Sequence, residues 1–385
     1  MFLLFAAAAR GATVSVGCPG GTPGTYPSIN AALATLDNEG PHTINVSGTC
    51  TETVTIDQRQ RLTIQGAPLQ IATVVGSNTC IVIRDSVVVT LRNLILSGTQ
   101  SAISAAQQSS INVAGVTASA SNGVALDIFG GASAVLGGAA PMDAVVVQNS
   151  NIGMRIEGSD VFVRGWFTSQ NNVSSGILID SGRLETSGSQ PTPPLGGPVT
   201  IQNNFTGITA QNGGLVQLFR GNFIQNNQGN GVILTTGAIL HVAGGTVIEG
   251  NQTSGVAVLF NSTMRFQGSN SIIRNNGSAS SPFRSGISAN HSSMVWVGAG
   301  AQIIDNTGRG ILADSGTTVR LDNTTITGNT ESGIELIHGA ILESIVGNTV
   351  PVNGAASVLC DATTIVFGDL AGVGAFECEK KEGKK

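Results

Sequence analysis

The sequence predicts an all-β solenoid, a parallel β-helix of about 12 rungs with three short strands in each. Three observations predict it. First, a Gly followed by Ile, Val or Met recurs at Gly153, Gly176, Gly207, Gly231, Gly255, Gly286, Gly310 and Gly333, mostly 23 or 24 residues apart. Second, one such period, Gly231 to Ser254, holds three strand-like pieces, Val232-Ile233-Leu234, Ile239-Leu240-His241-Val242 and Thr246-Val247-Ile248, here named strands A, B and C. Third, an asparagine follows strand C at Asn149, Asn172, Asn204, Asn227, Asn251, Asn276, Asn306 and Asn329. A coil of this size buries its apolar side only by stacking on its neighbours, and three strands per coil is the count of a parallel β-helix. A strict six-residue apolar period, the mark of a left-handed hexapeptide helix, is absent.

Composition agrees. Charged residues are 11% of the chain and Gly supplies 52 of 385 residues, a balance that suits tight-turned β-coils and excludes helical solenoids. The net charge of −5 and the lack of a basic stripe argue against a nucleic-acid partner. No apolar run is long enough to span a membrane.

In chain order, residues 1–12 read as a signal-peptide remnant. The apolar run Phe2 to Ala9 is too short to cross a bilayer and ends in the small residues a signal peptidase accepts. This predicts a secreted or cell-surface protein. Residues 13–42 form an N-terminal cap, with an amphipathic helix from Ser28 to Leu36 that turns Ile29, Ala32, Leu33 and Leu36 to one side and uses Ser28 as its cap. The β-helix itself runs over 43–345, a C-terminal cap follows over 346–378, and 379–385 is a charged, solvated tail. Five cysteines lie near the two ends. Export permits Cys18–Cys50 and Cys360–Cys378 bridges, with Cys80 a buried thiol; Cys50–Cys80 with Cys18 free is the competing arrangement.

The asparagines read as structural. Asn tolerates left-handed backbone angles, and its amide can bond its equivalent one coil away, so a stacked column satisfies polar groups in the turns.

Together the helical cap, the Gly-Ile strand and the Asn column resemble the right-handed parallel β-helix superfamily of pectate lyases, polygalacturonases, tailspike proteins and exported bacterial repeat proteins. The resemblance covers roughly residues 26–345. It implies the fold and the right-handed winding, but one fold hosts many sites.

Candidate chemistry falls on two columns. Counting four residues from each rung Gly along strand A, with Gly123 taken as the rung residue of its coil, stacks Asp127, Glu157 and Asp180 outward on successive coils, with Arg155 beside Glu157. Carboxylates one rung apart repel, which raises a pKa or recruits a cation. Asp127, Arg155, Glu157 and Asp180 are therefore the candidate catalytic group, and Asp127, Glu157 and Asp180 the candidate ligands for Ca²⁺, the one cofactor the pattern admits. Polygalacturonases carry Arg-Ile-Lys after a Gly-Val on their active strand; here Arg155-Ile156-Glu157 follows Gly153-Met154, and the family's Asn-Thr-Asp, Asp-Asp and Gly-His-Gly elements are missing.

On strand B, Gln217, His241, Arg265, Trp296, Arg320 and Glu343 project outward from consecutive coils. Trp296 between Arg265 and Arg320 reads as a stacking platform, and His241, Arg265, Trp296 and Arg320 are the candidate substrate-binding residues. Insertions at Gly137–Met142 and Ser189–Pro194, both between strands B and C, flank the rung that presents Phe162 and Arg164. A third, Gly277 to Phe283, lies elsewhere.

Two functions fit these features. One is a non-catalytic surface or matrix protein binding a polysaccharide or cell-surface glycan. The other is a carbohydrate-active enzyme, a lyase, hydrolase or epimerase, built on the acidic column. Oligomeric state is not written in the pattern.

Overall fold

The computed structural model describes residues 11–187, 197–281 and 284–378. Most of the leader remnant, the Ser189–Pro194 insertion, Phe283 and the charged tail lie outside the described residues. The rest winds as a parallel β-helix. Fourteen A strands, from Val54–Asp57 to Phe376–Cys378, stack in chain order into one sheet, and the B and C strands form a second sheet of 25 strands with the N-terminal strand Thr13–Gly17.

The apolar position after the rung residue makes the core column. Ile81, Ile103, Leu126, Met154, Ile177, Ile208, Val232, Val256, Ile287, Ile311 and Ile334 sit in register, each buried. Alternation along the strand then places the next residue outward, so the register of one residue decides which side chains face solvent.

The structure explains why glycine marks the rung. A Cβ on Gly255 would lie 2.7 Å from the Gly286 carbonyl oxygen and 2.9 Å from the Asn276 amide nitrogen; Gly176, Gly231, Gly286 and Gly310 repeat the pattern. Glycine and asparagine are thus one device in two columns. Asn172 donates from its backbone N–H and from its side chain to Asn204 Oδ1, at 3.0 and 2.8 Å, and this pair of bonds repeats through Asn227, Asn251, Asn276, Asn306 and Asn329 to Asn353.

The ladder residue and the left-handed residue are neighbours rather than one residue. Asn149, Asn171, Asn203, Asn226 and Asn275 take φ near +55°, each immediately before a ladder position. Asn149, expected in the ladder, is therefore a turn residue, and Ser150 holds the ladder place, its Oγ accepting from the Ala120 N–H and its own N–H donating to Asn172 Oδ1.

The expected helical plug is not present. The helix spans Ile29–Leu33, five residues, with Ser28 Oγ accepting from the Ala31 N–H. Beyond Leu33 the backbone tightens to bonds from Thr35 to Ala32 and from Leu36 to Leu33. So short a segment is costly to nucleate and amounts to a turn packed on the first coil. Residues 346–378 continue the winding, with Val358–Cys360 and Phe376–Cys378 as A strands and Ile365–Gly368 as a B strand. Cys18–Cys50 and Cys360–Cys378 are the bridges formed, one in the first coils and one in the last. Cys80 stays free and buried, donating to the Val74 carbonyl, and burial pushes its thiol up to about 12.

Candidate functional site

On face A the acidic column is not what the spacing predicts. Asp127 pairs in register with Arg155, and Phe129 stands opposite Glu157. The rung residue of that coil is Ala125, two places after Gly123, so the count that began at Gly123 put Asp127 in the wrong column. Its neighbours across the next gap are correctly aligned, Glu157 beside Asp180.

Side chains follow from this register. Arg155 donates from Nε and Nη2 to both oxygens of Asp127 at 2.7 Å, a bidentate pair, and reaches Glu157 at 3.7 Å. Asp127 is buried, and its hydrogen bond holds the Arg155 guanidinium charged, with its pKa raised. Asp180 accepts from Gln211 Nε2 and Asn212 Nδ2, both at 2.9 Å. Three repelling carboxylates are thereby replaced by an ion pair, a half-exposed Glu157 and an amide-bonded Asp180. A Ca²⁺ site needs converging oxygens; here both Asp127 oxygens are turned onto a cation, and the residues do not fit the ion. Among the described residues, the only three potential ligands within 4.8 Å of one another are Cys18, Cys50 and Glu52, and the two sulfurs are joined in the disulfide.

Face B keeps the predicted order. Phe162, Glu185, Gln217, His241, Arg265, Trp296, Arg320 and Glu343 pair rung to rung in one outward column. The indole of Trp296 is covered on both sides: the Arg265 guanidinium carbon lies 4.4 Å and that of Arg320 4.9 Å from the ring. Trp296 is therefore not an open platform for a sugar ring. It acts as a spacer that holds two cations one rung either side of it, by attraction of each to the π-face.

The cations of the stack are lightly engaged. Arg265 donates from Nε to Gln267 Oε1 at 2.6 Å, and Arg320 faces Glu343 only at 3.8 Å. The buried Trp296 Nε1 and Arg320 Nε have no hydrogen-bond partner. His241 sits edge-on to Phe219, with ring centroids 5.9 Å apart; burial, then the neighbouring Arg265 charge, lower its pKa. A cleft of about 610 Å³ opens at the adjoining B–C corner, lined by Arg220, Gly244, Gly245, Gln267, Ser269 and Asn270.

The first insertion builds a wall on the same face. Its 3₁₀ turn Pro141–Asp143 returns Asp143 to Arg92, 2.9 Å away. The fit is close: a Cβ on Gly137 would lie 1.9 Å from the Gly165 carbonyl oxygen, and one on Gly138 2.5 Å from the Asp143 carboxylate. Arg164 lies over the Phe162 ring, 5.8 Å from its centroid. Trp166, at φ +41°, packs against Gly197 on the next coil. Sequence reasoning missed a further contact, Phe260 stacked on His291 at 4.6 Å in the A–B corner, both in left-handed turns. Its signal was a pair of bulky residues where the turn prefers Gly or Asn.

Parallel coils, the glycine column and the asparagine ladder define a parallel β-helix protein. Residues 199–367 match the family described as "Right handed beta helix region", and the parallel β-helix fold runs on through the coils on either side of that match. Similar solved structures include the periplasmic alginate epimerase AlgG, 12% identical with a TM-score of 0.45, covering 92% of this chain and 82% of that one. Tailspike protein 3 of bacteriophage CBA120 is 11% identical, TM-score 0.31, with 92% and 58% covered. The GH136 lacto-N-biosidase from Eubacterium ramulus is 9% identical, TM-score 0.26, with 96% and 68% covered. No curated protein matches the sequence. Likeness at these levels carries no argument about what this chain binds.

Proposed function

We propose that this is an exported, non-catalytic β-helix protein that binds glycans along face B. The observation that carries the reading is the Arg265–Trp296–Arg320 stack, which presents two guanidinium groups on a long, regular face without a close carboxylate. Planar guanidinium groups with free N–H donors suit the oxygen-rich surface of a polysaccharide. Acid–base chemistry needs a carboxylate or histidine poised with a second group. The candidates on face A are instead bonded to Arg155, Gln211 and Asn212. Two disulfides suit the oxidising space outside the cytoplasm, and among the described residues no helix is long and apolar enough to cross a membrane.

The test is a screen of purified protein against acidic and neutral polysaccharides, with and without Ca²⁺, reading both product and binding. Binding without product is expected, lost in Trp296→Ala and kept in the Glu157→Ala/Asp180→Ala variant. Product that disappears in the latter variant would sink the reading and reinstate the carbohydrate-active enzyme.

A further inference from the structure

Resting on the glycan-binding reading, we propose that the ligand is an extended polyanion, held at two stations on face B: the walled cleft at Arg92 and Arg164, and the Arg265–Trp296–Arg320 stack. The first station is a cleft of about 390 Å³ with Thr90 and Asn112 on its floor, the Gly137–Asp143 insertion as its wall, and Arg92 and Arg164 at its rim. Arg164 has an aromatic ring for a neighbour in place of a carboxylate. Arg92 is already paired with Asp143 at 2.9 Å, so Arg164 is the cation that this station offers a ligand.

The stations share one column. Phe162, beneath Arg164, and Arg265 are four rung steps apart, through Glu185, Gln217 and His241. With stacked strands about 4.8 Å apart, that is roughly 19 Å along the axis. Nothing between them repels an anion strongly. Glu185 is ion-paired with Arg183, which also donates to Gln217 Oε1 at 3.0 Å, and His241 can accept a proton. Beyond Arg320 the column turns acidic at Glu343, which marks the end of the track.

The contrast with the rest of the body supports this assignment. Arg92, Arg155, Arg183, Arg274, Arg284 and Arg309 each lie within 3.3 Å of a carboxylate oxygen, and Arg59 and Arg61 donate to backbone carbonyls. Arginines resting on rings with no close carboxylate, Arg164, Arg265 and Arg320, are on face B. A single acidic sugar reaches one station. A chain long enough to reach both makes the second contact intramolecular, which multiplies affinity.

The experiment measures binding of an oligogalacturonate disaccharide and octasaccharide, dextran sulfate and neutral dextran to the wild-type protein and to Arg164→Ala and Arg265→Ala, both exposed positions. The octasaccharide is expected to bind the wild type at least about tenfold more tightly than the disaccharide. Either substitution should reduce it to near the disaccharide's affinity, and raising the ionic strength should weaken it. Dextran sulfate binding in preference to the uronate would assign the anion to sulfate esters and support the proposal. Neutral dextran binding as tightly as the acidic chains would overturn it while leaving glycan binding on face B intact. Equal affinity for the two uronates, or an octasaccharide indifferent to Arg164→Ala, would overturn the two-station arrangement. A wild-type protein that binds none of the four would overturn both this proposal and the reading beneath it.

Discussion

Faces A and B come from the same coils yet treat charge in opposite ways. On face A, Arg155 is locked bidentate to Asp127, Asp180 is tied by two amides, and the strand begins on a glycine pressed against the next coil. On face B, Arg265 and Arg320 rest on an indole, and the nearest carboxylate lies at 3.8 Å. Face A is neutralised internally and closely fitted, so its residues serve the stack. Face B leaves the charges of Arg265 and Arg320 without a close carboxylate, where a partner can use them. Within one repeat the difference teaches where binding can evolve: at outward cations that no close carboxylate has already neutralised.

The largest effect expected from this comparison is on face A. Gly255→Ala drives a Cβ against the Gly286 carbonyl and the Asn276 amide, and should cost about 3 kcal/mol of stability in urea unfolding. Ala125→Gly, at the same register where the next ladder residue is Ser150, should cost about 1 kcal/mol. Equal losses at the two positions would break the claim that glycine and the asparagine ladder are coupled.

Next is Asp127→Ala, which strands the partly buried Arg155. A loss of about 2 kcal/mol is expected, with glycan binding unchanged. Reduced binding with stability intact would move the ligand to face A. Trp296→Ala inverts this pattern. Removing the spacer between two guanidiniums should cost about 1 kcal/mol of stability and at least about tenfold in glycan affinity. A variant that keeps full affinity would erase the functional side of the comparison.

The smallest effect is in the histidines. On face B, burial and Arg265 lower the pKa of His241 below its ordinary 6.5; at the A–B corner, a 2.7 Å bond to Asp314 raises that of His338 above 6.5. The signs are opposite. His241 contributes fully to stability above its unfolded pKa and less as pH falls and it must charge; His338 contributes below its unfolded pKa, and this is lost as pH rises through its folded value. NMR titration should place the two midpoints on either side of 6.5, and coincident midpoints would remove the electrostatic difference between the two locations.

How much of this was legible depended on which residues carried the register. From Gly153 to Gly333 the Gly-Ile spacing and the asparagines agree, and the strand B column could be read residue by residue. In the coil before, the next ladder residue is Ser150, smaller than Asn, and Ala125 fits the rung. Gly123 is glycine for another reason, since its Cβ would lie 2.0 Å from the Gln100 carbonyl oxygen. A count anchored on it slipped by two residues. A slip of two keeps every outward residue outward, so alternation gives no warning, yet it changes which charges meet. The acidic trio was the product of that slip.

The structure chose Cys18–Cys50 over Cys50–Cys80, while the sequence by itself determined the winding, the three faces and the order of side chains on face B. Each of these is set by a local period or by spacing along the chain. Tertiary structure alone decided that Asp127 meets Arg155 rather than Glu157, that Trp296 is covered on both sides rather than open, and that Asp143 returns to Arg92 across 51 residues. These depend on rung-to-rung register and on where long side chains come to rest, and the alternation of residues along a strand encodes neither.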